Sequence, residues 1–460
     1  MKINDVPYCS FIIYERKRLN MKYDVIVIGA GASGVMSAIT AARQNKSVLL
    51  LEKENKIGKK IYATGNGKCN FTNDYMKKEC FFGNEELINN MFDNFSKQDT
   101  INFFNELGIL SYEKNGYYYP NSNQASSIVT ALELELMRLG VDICLNSIIS
   151  FVTLQKSDNK YIVTGKTLQF ENSDSKNKKK KNDIIINEIL FKHESSNLIF
   201  STGLLASPKL GSDGSIFKII KNLNHTFTPI APVLCGFYCK GNAFKKMAGV
   251  RIKSKISIID KNNVKREDTG EIQITEYGIS GIPVFQVSHC ISELLLKKQN
   301  VIGQIDFLPD FPSDKLRDLL LANIKILPEK KEFKYILNGI LPDKLWNEVF
   351  NNVNLDSSFT KKGIKKRELP FDEFINNMID KLEKSIKHYS ITIEKSRGYE
   401  FSQACLGGIN SNEINTKTLE SKIYKNLYFT GELLDVDGIC GGYNLQWAWA
   451  SGYIVGKNIK

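Results

Sequence analysis

The sequence predicts an α/β protein: a parallel-sheet domain assembled from both chain ends, an inserted β-barrel-like domain and a small helical domain. Three observations carry this expectation. Residues 22–54, "KYDVIVIGAGASGVMSAITAARQNKSVLLLEKE", read as strand, helix, strand. The pattern turns strand-like with frequent turns at 230–308 and helical at 313–388. The last 35 residues return to a strand, a glycine-rich turn and a helix. No internal repeat is visible.

In chain order, Val25 to Ile28 form a continuous apolar run, as in a strand buried on both faces of a parallel sheet. Residues 33–44 carry small and apolar residues at helical spacing, and Val48 to Leu51 form a second buried run. Helices are expected over 85–107 and 124–139, with a hairpin over 109–120 turning at Asn115-Gly116, a favoured tight-turn pair. Strands are expected at 141–153, 160–165, 184–193 and 197–202, the second and third separated by a lysine-rich loop near 171–183. A helix follows at 212–222, and strand character resumes at 389–409 after the helical stretch.

The 460 residues exceed a single compact domain, and 42% hydrophobic with 24% charged residues is a globular composition. The net charge of +12 would suit an acidic partner, but lysine and asparagine are abundant throughout and no nucleic-acid-recognition module is present. Nucleic acid is therefore not the expected partner. The nine cysteines are scattered and never spaced CxxC, which predicts reduced thiols and a cytoplasmic location. The four histidines sit at no metal-ligand spacing, so no metal is expected. The apolar stretch from Val25 to Ala42 is interrupted by glycine and serine, so no membrane span is expected. Residues 1–20 lack the form of a signal peptide and read as an extension before the patterned region.

Gly29, Gly31 and Gly34 form G-x-G-x-x-G between the first strand and helix. The first glycine serves a tight turn, the second admits a pyrophosphate close to the backbone, and the third lets helix pack on strand. Ala32 and Ser33 open the helix whose amino end would face the phosphates. Glu52 ends the second strand, where a carboxylate can accept from a ribose 2′-hydroxyl and would repel the extra phosphate of NADP. Strand, glycines, helix, second strand and acid agree on a Rossmann-type dinucleotide site.

Near the end, "LYFTGELLD" (427–435) is a strand closing on Thr-Gly-Glu. In glutathione-reductase-type flavoproteins a late strand ends in a Gly-acidic pair at the ribityl chain, and the next helix points its amino end at the flavin. Gly431 and Glu432 match that pair. Thr202 and Gly203, Asp437, Gly442, Tyr443, Asn444 and Leu445 complete the candidate contacts from this half. The stretch "ATGNGKCNFTN" (63–73) follows the second strand. Lys60, Gly65, Asn66, Gly67, Lys68, Cys69 and Asn70 are its candidate cofactor contacts, with Cys69 better read as a small packed side chain than as a nucleophile.

Four segments resemble the bacterial BaiN-like FAD-dependent oxidoreductases, also described as NAD(P)/FAD-dependent or aminoacetone-oxidase-type flavoproteins. They are "DVIVIGAGASGVMSAITAA", "GKKIYATGNGKCNFTN", "GEIQITEYGISGIPVFQVS" and "TGELLDVDGICGGYNLQWAWASGY". "SRGYEFSQACLGGIN" is similar to a fifth. Lys68 stands where the family usually has Arg, Glu276 where many relatives have His, and "GIP" replaces a common Gly-Pro. The resemblance implies an FAD-binding domain from 21–225 and 411–460, a β-barrel-like domain from 226–310 and 389–410, and a helical domain over 311–388.

With one G-x-G-x-x-G only, an NAD(P)H donor would bind transiently. The expected activity is a reductase passing hydride from NAD(P)H through FAD to an electron-poor C=C of a small organic substrate, a steroid-like one among those the resemblance allows. Tyr443, Tyr399 and Tyr277, in family-like segments, are the candidate proton donors, each equally readable as a packed aromatic. Arg397 could anchor an acidic substrate or the pyrophosphate. An FAD-dependent amine oxidase producing peroxide and an RNA-binding or tRNA-modifying flavoprotein are the alternatives.

Overall fold

The computed structural model describes residues 20–155, 157–170, 185–261, 263–326, 335–353 and 371–460. The lysine-rich loop and residues 1–19 of the expected extension lie outside the described residues, while residue 20 already belongs to the first strand. The chain divides into two compact units: the described residues up to Ile230 with Ala404–Lys460, and Ala231–Gln403.

The first unit is built on a 7-stranded sheet. Its centre is β1 (Asn20–Ile28), parallel to β2 (Val48–Leu51) on one side and to the strand Ile185–Phe200 on the other. Both faces of β1 are covered, which explains why Val25, Ile26, Val27 and Ile28 are all apolar and buried. Asp142–Cys144 extends the parallel order beyond β2, and Leu427–Phe429 pairs parallel with the end of Ile185–Phe200. The C-terminal segment thereby re-enters the sheet that the N-terminal segment began.

Two expected strands, 184–193 and 197–202, are one strand in the structure, Ile185–Phe200. The polar run Glu194 to Asn197 looks like a break in sequence. Here it is where the strand exchanges an antiparallel neighbour, Lys160–Phe170, for a parallel one, Leu427–Phe429. The expected helix at 212–222 shortens to Phe217–Asn222. The hairpin turns where expected, with Asn115 and Gly116 at φ 54° and 84°, the left-handed pair that a two-residue turn needs.

The helix α1 (Ala32–Ala42) packs against the C-terminal helix Tyr443–Asn458. Gly452 and Gly456 permit the close approach. A Cβ on Gly452 would sit 2.4 Å from the Ser33 carbonyl oxygen, and one on Gly456 2.5 Å from Thr40 Cβ.

In the second unit six strands close a barrel, in the order Phe237–Cys239, Gly278–Ser280, Asn263–Thr275, Arg251–Asp260, Val301–Asp306, Tyr389–Ser396. Closure removes exposed sheet edges. The helices Ser313–Ile326, Asp343–Asn352 and Phe371–Lys387 share one hydrophobic core with the barrel, in which Phe237, Ile258, Leu316, Trp346 and Ile379 are buried together. Among the described residues no helix is long and apolar enough to cross a membrane.

Candidate functional site

The three fingerprint glycines have three different reasons to be glycine. Gly29 has φ +101°, and a Cβ there would lie 2.8 Å from the Ser201 carbonyl oxygen. A Cβ on Gly34 would lie 1.9 Å from the Gly29 carbonyl oxygen. These two are required by the fold. Gly31 has φ −75°, open to any residue, and a Cβ there would meet nothing within 4 Å. Neither strain nor packing accounts for Gly31. Close approach of a ligand does. Behind it, α1 begins without a side-chain cap or an acidic residue in its first turn, so its amino-terminal N–H groups are left to an anion.

Glu52 closes the loop from below. Its Oε2 accepts from the Ala30 N–H at 2.6 Å and its Oε1 from the Glu54 N–H at 2.9 Å. Burial raises its pKa, opposed by these two hydrogen bonds. Each oxygen keeps a lone pair for a ribose hydroxyl. Ser201, which sequence reasoning missed, fixes the loop by donating to the Ile28 and Gly29 carbonyls. A serine after a strand carries no local signal of that role.

The second wall joins segments about 370 residues apart in sequence. Residues 61–67 form a broken 3-10 turn with Gly65, Asn66 and Gly67 at φ 55°, 53° and 83°, and Cys69 follows at 59°. Gly65 to Lys68 face outward, whereas Cys69 and Asn70 turn inward. The chain then docks on the C-terminal glycine turn. Asn73 Nδ2 donates to the Gly441 carbonyl at 2.8 Å, and a Cβ on Gly442 would lie 2.9 Å from the Thr72 carbonyl and 3.0 Å from Asn70 Oδ1. Asn70 Oδ1 is buried and has no hydrogen-bond partner among the described residues. Such an orphaned acceptor is costly unless a ligand satisfies it.

Gly442 (φ 93°) begins the C-terminal helix, again with no side-chain cap and no acid in the first turn. Gly452, one contact point with Ser33, is ten residues further on, about 15 Å at 1.5 Å per residue. Two uncapped helix amino ends thus lie about 15 Å apart along the C-terminal helix. A hub at Gln446 holds the arrangement: Oε1 accepts from Thr72 and Thr100 hydroxyls at 2.7 and 2.8 Å, and Nε2 donates to the Phe95 and Ser96 carbonyls. It stands within the glycine-helix segment, but nothing in the sequence marked it.

Several candidates also make contacts within the protein. Glu432 accepts from the N–H groups of Leu204 and Cys405 and from Lys60 Nζ at 3.4 Å. Its carboxylate anchors three segments, with Gly203 (φ +68°) beside it and Thr202 preceding. Gly431 donates its N–H to Ser451 and accepts from the Trp447 indole, and its missing Cβ makes room for Ser33 Oγ. Asn444 clamps the Gly438 N–H and carbonyl with both ends of its amide. Asp437 is buried in a short strand pair opposite Phe82. Leu445 is half-buried in the helix's first turn.

Among the candidate tyrosines, Tyr443 is the buried one. It is 4% exposed, its ring meets Phe81 edge-on, and its hydroxyl donates to the Tyr75 carbonyl. Burial raises its pKa further. Tyr277 and Tyr399 belong to the second unit, half-buried. The Cys69 thiol is fully buried, which pushes its pKa up to about 12 and keeps it protonated. Among the described residues every cysteine is a free thiol and no group of acidic, histidine or cysteine side chains is placed to hold a metal.

A constellation that the sequence did not announce joins Ser421, His225 and Glu413, with His225 Nε2 2.9 Å from Ser421 Oγ and Nδ1 3.0 Å from Glu413 Oε2. It is not a nucleophilic site. Ser421 is buried and its oxygen already accepts from the Ile423 and Tyr424 N–H groups.

A family model described as "HI0933-like protein Rossmann domain" matches residues 23–458. The chain belongs to the HI0933-like family. It is an FAD-dependent oxidoreductase, as the resemblance to BaiN-like flavoproteins implied. Within reach of this family, the chain is 36% identical over 436 residues to a 3-dehydro-bile acid delta(4,6)-reductase of Clostridium scindens, covering 94% of this chain and 97% of the relative. It is 28% identical over 447 residues to a ribosomal RNA dihydrouridine synthase of Haemophilus influenzae, covering 95% and 98%. A 3-ketosteroid dehydrogenase structure from Rhodococcus jostii aligns at TM-score 0.43 and 12% identity over 95% of this chain and 97% of that one.

Proposed function

We propose that this HI0933-like flavoprotein is an NAD(P)H-dependent reductase of an electron-poor C=C in a small, steroid-like organic substrate. The observation that carries the reading is the full-length similarity to a bile acid delta(4,6)-reductase, joined to a glycine loop whose middle glycine only a ligand explains. FAD, when bound, supplies hydride transfer at its N5. Gly31 and the first turn of α1 would hold its pyrophosphate, Glu52 its ribose, and Asn70 with the Gly442 turn its flavin end. The amino end of the C-terminal helix stabilises negative charge beside it. A proton donor must serve the second carbon, and with Tyr443 spent on a backbone carbonyl, Tyr277 and Tyr399 are the remaining candidates.

A second reading is favoured by the dihydrouridine synthase relative and the charge of +12: reduction of a uracil ring in RNA. Both readings reduce a C=C conjugated to a carbonyl, so the electronic task is shared and the substrate's size differs. Purified protein given NADPH or NADH and either a steroid enone or ribosomal RNA separates them. Loss of the enone with matching nicotinamide oxidation supports the first; dihydrouridine in RNA with an untouched enone supports the second. Peroxide formed from an amine, with no nicotinamide oxidation, would place the protein among oxidases instead.

A further inference from the structure

One face of the barrel unit carries two cations, Lys395 and Arg397, that make no ion pair among the described residues. Tyr238 pairs with Gly278 on one side, next to the turn that carries Tyr277, and with Lys395 on the other, while Phe237 and Ile393 fill the barrel. The rings of Tyr238 and Tyr277 are 5.2 Å apart. Lys395 Nζ stands 4.9 Å from the Tyr238 ring. Arg397, just past the end of the Lys395 strand, has its guanidinium 4.8 Å from the Tyr277 ring and 3.7 Å from the Phe401 ring.

Arg397 is half-buried, yet among the described residues its guanidinium has no carboxylate and no hydrogen-bond acceptor. A surface arginine normally finds a carboxylate or swings into water. This one lies over two aromatic rings, a contact that favours a fixed guanidinium and uses none of its N–H donors. A fixed guanidinium edge matches a carboxylate through two parallel hydrogen bonds. The flanking Tyr238 and Tyr277 rings offer an apolar floor beside it. Phe401, 49% exposed, completes an aromatic surface that carries the charges of Arg397 and Lys395.

We propose that Arg397 is the anion-recognition residue for an amphipathic acid: an apolar, ring-bearing substrate whose side-chain carboxylate lies against the guanidinium while its body covers Tyr277 and Tyr238. This rests on the small-molecule reductase reading and names its substrate class more narrowly. It assigns Arg397 to substrate rather than to the FAD pyrophosphate. The single clamped guanidinium fits one carboxylate better than a run of phosphates, which a broad lysine surface would track.

The test is equilibrium dialysis of the FAD-loaded protein with testosterone hemisuccinate, a steroid enone bearing a carboxylate, and with its methyl ester. The acid should bind at least roughly 10-fold tighter, the yield of a charge-assisted bidentate contact. In Arg397→Met the preference should vanish through loss of acid affinity, the ester being unchanged, while Arg397→Lys should retain part of it. Phe401→Leu, which unclamps the guanidinium, should reduce the preference with FAD content intact. Equal binding of acid and ester by the unaltered protein overturns the proposal, as does equal loss of both in Arg397→Met. Failure of either probe to bind overturns it together with the steroid-like substrate reading. Enone turnover that shows no acid preference removes only the anion site. Salt-sensitive retention of ribosomal RNA abolished in Arg397→Met, without acid preference, assigns the residue to RNA and also overturns it.

Discussion

Replacing Gly31 by alanine separates a glycine kept for a ligand from glycines kept for the fold. At φ −75° and ψ −173° alanine is unstrained, and its Cβ would meet no protein atom within 4 Å. Glycine is the better helix N-cap residue by about 0.5–1 kcal/mol, and alanine recovers about 0.4–1 kcal/mol by restricting the unfolded chain. The cofactor-free protein should therefore melt within about 2 °C of the parent. FAD binding should suffer, because the methyl group occupies the space through which the helix N–H groups reach a phosphate. Weakening two charge-assisted hydrogen bonds costs about 2–3 kcal/mol, roughly 30- to 150-fold in Kd. Gly34→Ala is the contrast: its Cβ would overlap the Gly29 carbonyl at 1.9 Å, so the fold itself should fail. The assay is thermal unfolding of the cofactor-free proteins beside FAD fluorescence quenching. Unchanged FAD affinity in Gly31→Ala, or a melting loss like that of Gly34→Ala, would refute the reasoning.

Three further outcomes follow from the structure. Gly452→Ala should loosen the contact of α1 with the C-terminal helix, since its Cβ would lie 2.4 Å from the Ser33 carbonyl; urea denaturation should show a loss of about 1–3 kcal/mol. Cys69→Ala should keep FAD and turnover, and native Cys69 should resist iodoacetamide at neutral pH, because burial holds its pKa near about 12; rapid alkylation that abolishes activity would show a working thiolate. His193, buried against Phe191 and Tyr23, has its pKa lowered from 6.5 to about 4 by burial. The unfolded chain takes up this proton below about pH 6.5 and the folded chain only near 4, so stability is full above 6.5 and falls as pH drops through that window. The loss, discounted for solvent screening, is about 2 kcal/mol, and a urea midpoint that falls equally in His193→Phe between pH 7 and pH 4 would show that other groups carry it.

What the sequence made legible was local. The strand-glycine-helix-strand unit, the Asn115-Gly116 hairpin and the helices at 85–107 each announce themselves through periodicity or a turn residue within a few positions. The joined strand Ile185–Phe200 was hidden because its polar middle answers to neighbours far along the chain. The same holds at the site. Gly31 was readable from spacing, but the docking of Asn70–Asn73 on Gly441 and Gly442, the Gln446 hub and the Glu432 anchor are pairings across hundreds of residues. Family resemblance grouped those segments without saying which side chains face a ligand and which hold the walls. Tyr443 shows the difference: its place in a family-like segment suggested chemistry, and its hydroxyl is committed to the Tyr75 carbonyl.

The central claim is that electrons pass from a nicotinamide to a conjugated C=C by way of this chain's flavin. Flavin absorbance followed anaerobically tests it in one vessel. The account predicts that NADH or NADPH bleaches the yellow band and that a steroid enone then restores it, with one enone consumed per flavin. A flavin that neither nicotinamide bleaches, or one that only oxygen restores, would contradict it.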